Sequence, residues 1–120
     1  MDAVNQLLRF SRNIMGPIIF PGTKWCGTGN VATNFTDLGI LRDLDMCCRT
    51  HDSCPDVILA EATKYNLTNT SSFTRVSCDC DHSFYNCLKS AHKIYADLVG
   101  KTYFVYSRTK CFSSCRTNFE

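Results

Sequence analysis

Nine cysteines in a chain of 120 residues constrain this fold more than any other feature. A domain of this length buries only a modest core, and disulfides supply staples that persist in oxidising compartments. Cys26, Cys47, Cys48, Cys54, Cys78, Cys80, Cys87, Cys111 and Cys115 therefore predict a secreted, disulfide-stapled domain. Three N-glycosylation acceptor patterns, at Asn34, Asn66 and Asn69, agree with that compartment. The pairing stays open at this stage, because eight cysteines allow about 105 connectivities.

Thirteen basic and 11 acidic side chains leave a net charge of +2, spread along the chain. That is no footprint for nucleic acid, which needs a dense basic patch. It is compatible with an anionic membrane surface. No apolar run approaches the roughly 20 residues that span a bilayer. Residues 1–17 carry Arg9 and Arg12 inside their only apolar patch, so they contain no signal-peptide core. They are expected to be a leader or extension outside the core fold, with residues 18–120 as a single domain.

Gly16-Pro17 breaks any helix formed by Leu7, Leu8, Phe10, Ile14 and Met15. Pro21-Gly22 marks a turn after the apolar run Ile18-Ile19-Phe20. Two glycines within Trp25-Cys-Gly-Thr-Gly-Asn30 favour an irregular loop with exposed carbonyls. A helix is expected from Asp43 or Asp45, an early cap, to between Asp56 and Ala62, with Pro55 kinking it or closing its last turn. Residues 65–77 are polar and read as a loop with weak β character. Phe84, Leu88, Ala91, Tyr95 and Leu98 recur at helical spacing and predict a second long helix over Cys80–Leu98. Gly100 sits where a C-terminal cap belongs, and Lys101–Ser107 suits a strand or hairpin.

Candidate chemistry concentrates in Cys47-Cys48-Arg-Thr-His51-Asp52-Ser-Cys54 and Cys78-Asp-Cys80-Asp81. On a helix Cys47 and His51 share one face, as do Cys48 and Asp52. A Cys26–Cys48 bond would pin the Gly27-Thr28-Gly29 loop one turn from Asp52. Its carbonyls and that carboxylate are hard oxygen ligands of the kind Ca²⁺ takes. A Cys54–Cys80 bond would bring Asp81 to the helix face that carries His51. A carboxylate on one imidazole nitrogen fixes the tautomer and leaves the other nitrogen to accept a proton. A cysteine-rich metal cluster is the rival chemistry, but the C-x₂-C pairs of common zinc sites are missing.

Three segments carry a resemblance. Ile18-Ile-Phe-Pro-Gly-Thr-Lys-Trp-Cys-Gly-Thr-Gly-Asn30, Asp45-Met-Cys-Cys-Arg-Thr-His-Asp-Ser-Cys-Pro-Asp56 and Cys78-Asp-Cys-Asp81 resemble the signature of the bee-venom-type (group III) secreted phospholipases A2. Leu67–Thr70, Phe84–Leu88 and Val99–Phe104 extend the likeness, which runs from Ile18 to Cys111. It implies a small α-rich (α+β) domain with two long antiparallel helices, a calcium-binding loop and a minor β-hairpin. It implies Ca²⁺ held by the carbonyls of Trp25, Gly27 and Gly29 with the carboxylate of Asp52. His51 is then the general base, Asp81 its orienting partner, and Tyr103 a support for their network. The implied disulfides are Cys26–Cys48, Cys47–Cys87, Cys54–Cys80 and Cys78–Cys111. The implied reaction is calcium-dependent hydrolysis of the sn-2 ester of glycerophospholipids at a membrane or micelle surface, releasing a fatty acid and a lysophospholipid.

The same fold also serves non-catalytic receptor- or channel-binding toxins, which is the rival function. Intact His51, Asp52, Gly27, Gly29 and Asp81 argue against a purely binding role. The chain departs from the family pattern in its short tail after Cys111, which leaves Cys115 either free or available to link a second chain. His82 and His92 match no motif and read as surface residues. Tyr65, Phe84, Tyr85 and Tyr95 read as packing, and Ile18-Ile19-Phe20 as either a strand or a lipid-inserting patch.

Overall fold

In the computed structural model, residues 18–91, 93–106 and 110–113 are described; residues 1–17, expected to be a leader or extension, His92 and Cys115 lie outside them. Helix α1 spans Arg42–Asp52 and carries the Cys-Cys-Arg-Thr-His-Asp run. Its N-cap is Leu41, with no side-chain cap, so neither Asp43 nor Asp45 plays the expected capping role. Both sit in the first turn, where negative charge still suits the helix dipole. The helix stops well before Asp56 or Ala62. Pro55 disfavours helical backbone at the residue before it and brings no N–H to extend the ladder.

Residues 57–76 fold as two nested antiparallel ribbons. β1 (Val57–Ile58) pairs with β4 (Arg75–Val76), and between them β2 (Thr63–Lys64) pairs with β3 (Leu67–Thr68). Tyr65 and Asn66 make the inner turn with φ of 54° and 61°. Two successive positive φ values are what a two-residue turn needs to match the strand twist. Ile58 and Val76 are buried beneath the outer ribbon. Asn69 is buried as well, and its side-chain amide donates to the carbonyls of Ile58 (3.0 Å), Leu59 (3.3 Å) and Phe73 (2.8 Å). Its acceptor pattern therefore serves the fold here, whereas Asn34 and Asn66 are exposed.

Helix α2 (Cys78–Ala91) runs antiparallel to α1, as the cross-links show: Cys47 joins Cys87, while Cys54, just beyond α1, joins Cys80. Cys26–Cys48 and Cys78–Cys111 complete the same four pairs set out above. The second helix is not continuous to Leu98. It breaks before Lys93, whose backbone is extended (φ −114°, ψ 151°), and α3 (Ile94–Lys101) follows. The break shifts the inward stripe by one residue. Ala96 is buried and Val99 packs on the core, while Tyr95 and Leu98, expected there, are about half exposed.

Gly100 lies inside α3 rather than capping it. A Cβ there would stand 3.4 Å from Leu88 Cδ1, so the glycine marks the close approach of α3 to α2. Residues Thr102–Tyr106 continue as a π-helical turn, not the expected strand. Strand propensity is a weak preference that packing overrides. Here Tyr103 is held edge-on to Phe84 and Phe104, and its hydroxyl reaches α2. The core joins the loop to the helices through Trp25, Cys26, Leu44, Cys47, Cys48, Phe84, Leu88 and Ala96.

Candidate active site

The loop before α1 is folded against the chain that precedes it. Phe20 N–H donates to the Cys26 carbonyl (2.7 Å) and Thr28 N–H to the Ile18 carbonyl (3.0 Å), closing a bridge between Ile19 and Gly27. A Cβ on Gly27 would collide with the Ile18 carbonyl, so this approach requires glycine. Gly29 adopts φ 121°, a region that side chains disfavour. Among the described residues, no hydrogen bond is donated to the carbonyls of Trp25, Gly27 or Gly29.

Two disulfides bring the remaining parts together. Cys26–Cys48 ties this loop to α1 one turn before Asp52, and Cys54–Cys80 sets Asp81 beside the end of α1. His51 Nε2 lies 2.8 Å from Asp81 Oδ1, with only 9% and 11% of the two side chains exposed. Tyr103 donates its hydroxyl to the same oxygen at 2.8 Å. The imidazole is sandwiched by aromatics: it stacks on Phe84 at 4.2 Å and meets Tyr103 edge-on at 4.7 Å. Ring position, ring plane and one nitrogen are thus all fixed, and Nδ1 is the nitrogen left over. Burial and the neighbouring Asp81 charge raise the Tyr103 phenol well above its usual range, so it remains a donor.

His51, Asp52, Tyr103, Trp25, Gly27 and Gly29 line one cavity of about 900 Å³. Ile18, Ile19, Phe20, Val57, Phe73 and Val99 supply its apolar wall. Asp81 is absent from the wall and stands behind His51. Asp52 is an exposed residue, yet the chain packed around its carboxyl and the Asp45 charge push that carboxyl up to about 8. No lysine or arginine among the described residues pairs with it. Among these residues no group of three or more His, Cys, Asp or Glu side chains is placed to hold a metal. A cation here would rely on Asp52 together with backbone oxygen.

A small helical domain stapled by four disulfides, with a His–Asp–Tyr cluster on the wall of an apolar cavity, defines the class. A family model described as phospholipase A2 matches residues 19–115, and the chain belongs to that family of phospholipid hydrolases. It is 56% identical over 96 residues to a phospholipase A2 of Apis cerana cerana, covering 79% of this chain and 72% of the relative. It is 55% identical over 95 residues to a phospholipase A2 of Xylocopa aruana, covering 79% of this chain and 53% of the relative. The acidic phospholipase A2 PA4 of Heloderma suspectum is 45% identical over 97 residues, covering 81% and 68%. The chain thus spans about half the length of the Xylocopa protein.

Phe84, read as packing, is buried in the core and is also the platform beneath His51; its position three residues after Asp81 on one helix was the available signal for that second part. Asp45, read as a cap, reaches the loop instead. His82 is exposed and takes no part.

Proposed function

We propose that the protein hydrolyses the sn-2 ester of glycerophospholipids, using His51 to activate water and Ca²⁺ at the neighbouring loop. The observation that carries this reading is the His51–Asp81–Tyr103 cluster opening onto the cavity that Asp52 and the carbonyl loop also line. The apolar wall suits an acyl chain. Residue donors fit a hard cation: the carbonyls of Trp25, Gly27 and Gly29, to which no described residue donates, and the Asp52 carboxylate, which no described lysine or arginine pairs. Bound there, calcium would supply positive charge for the ester carbonyl and the substrate phosphate.

The chain's own residues handle the proton. His51 Nδ1 takes it from water as the water oxygen attacks the ester carbonyl carbon. The same nitrogen then delivers it to the departing glycerol oxygen as the C–O bond breaks. Asp81 holds the ring in the tautomer with hydrogen on Nε2 and stabilises the imidazolium while it exists. Tyr103 keeps Asp81 in place. No cysteine is required as nucleophile, and eight are committed to disulfides. Those bridges also favour folding and action in an oxidising, extracellular setting.

His51→Gln tests the base. Release of an sn-2-labelled fatty acid from phosphatidylcholine vesicles is expected to fall by about 10²–10⁴-fold, with the fold retained. Release from the variant at the wild-type rate would remove His51 from the mechanism.

A further inference from the structure

Asp45 has no exposed surface at all, yet no lysine, arginine or histidine among the described residues pairs with it. Backbone N–H groups stabilise its carboxylate. Oδ1 accepts from Trp25 N–H (2.9 Å), and Oδ2 accepts from Lys24 N–H (2.9 Å) and Gly39 N–H (2.8 Å). Bonds from N–H groups to an ionised acceptor are stronger than neutral ones, and a buried carboxylate needs them. Two of the donors immediately precede Cys26–Gly29, and the third lies near the far end of the same connection. The side chain therefore clasps both ends of the loop from within α1.

Placement on the helix gives this clasp a direction. Asp45, Cys48 and Asp52 fall at i, i+3 and i+7, one face of α1. The face thus holds Trp25 by its N–H, holds Cys26 by a disulfide, and carries Asp52, which lines the same cavity as Trp25, Gly27 and Gly29. The Trp25 indole is tied separately, donating to the Asp37 carbonyl at 2.9 Å. Trp25 is fixed at both main chain and side chain before any ligand arrives.

We propose that Asp45 is a positioning residue for cation binding: its buried carboxylate holds the Trp25–Gly29 oxygens preformed opposite Asp52. This rests on the calcium reading above. Groups that orient a metal's ligands without touching the metal typically change affinity by about 10- to 100-fold when removed.

The test is a calcium titration of the disulfide-bonded chain, followed by calorimetry and by the fluorescence of Trp25, the only tryptophan. Asp45→Asn keeps the shape but replaces one acceptor with a donor. It is expected to weaken calcium binding by about 10- to 100-fold. A lower Tm with an unchanged calcium Kd would mean a merely structural role and would overturn the proposal. Should Asp45→Asn not fold, a backbone ester replacing the Lys24–Trp25 amide removes a single donor and leaves the Trp25 carbonyl intact. The same weakening is expected, and an unchanged Kd overturns the proposal in that form too. A folded wild-type chain that binds no calcium would end the calcium reading itself. Wild-type binding with an unaltered variant would end only the role of Asp45.

Discussion

Asp81 Oδ1 accepts from both His51 and Tyr103, and the two donors differ in consequence. Asp81→Asn would remove the charge that orients the ring, so kcat is expected to fall well beyond tenfold. Tyr103→Phe would leave the His51 contact intact and cost mainly stability, about 1.5–3 kcal/mol for a hydrogen bond to a charged group. Paired measurements of Tm and kcat separate the two; equal losses of kcat would contradict the division of roles. The pH dependence follows from the raised phenol. An acid whose pKa is higher folded than unfolded contributes stability below its unfolded pKa, about 10 for tyrosine, and loses it above. Wild-type stability is therefore expected to drop more steeply above that pH than stability of the Phe variant. Asn69 carries a different prediction. Asn69→Ala would remove three donations made by one buried amide, although the Leu59 and Phe73 carbonyls keep other donors; a loss of about 1–3 kcal/mol is expected, more than for Asn34→Gln. Peptide mapping by mass spectrometry should find no glycan on Asn69. At this scale the sequence was most informative, since His51, Asp52 and their cysteines lie within one turn of each other. The pattern could not show that Asp45 faces the loop, because three of its bonds cross 6 to 21 residues of chain.

Elements were legible where local signals and packing agree. Helix α1 was expected and found, and its end follows from Pro55. The second helix was expected as one piece, because its apolar spacing continues without a glycine or proline through Leu98. The break before Lys93 changes which residues face inward, and that choice is made by Ala96 and Val99 against the core. Gly100 was misread for a related reason: glycine near a helix end looks like a cap, but here it gives clearance to Leu88. Gly100→Ala discriminates between the two. In a cap with left-handed backbone, alanine destabilises. Inside α3 it is expected to stabilise, by about 0.4–1 kcal/mol less the cost of shifting Leu88. Thermal unfolding with a clear loss of stability would contradict the helical placement. Tyr103 to Tyr106 read as strand from composition, whereas the π-helical turn goes with contacts that Tyr103 makes far along the chain, among them Asp81, 22 residues away, and Phe84.

Across the whole molecule, four disulfides set loop, helices and sheet around one cavity, and their positions explain why motifs far apart in sequence meet. Each unstrained bridge contributes about 2–4 kcal/mol. The cysteine count pointed to a disulfide-stapled domain and the family resemblance implied its fold class, while the nested ribbons of residues 57–76 were not legible, since Asn69 organises them through buried contacts. Membership of the phospholipase A2 family places the cavity in a lineage of phospholipid hydrolases. The proposed chemistry unites the His51 cluster and the carbonyl loop in one site, and that union is open to direct measurement. Fatty-acid release from phospholipid vesicles should be followed against calcium concentration, with Asp52→Asn in parallel. Release that saturates with calcium, stops on chelation and is lost in the variant is the predicted result. Undiminished release by the folded chain in excess chelator would contradict it.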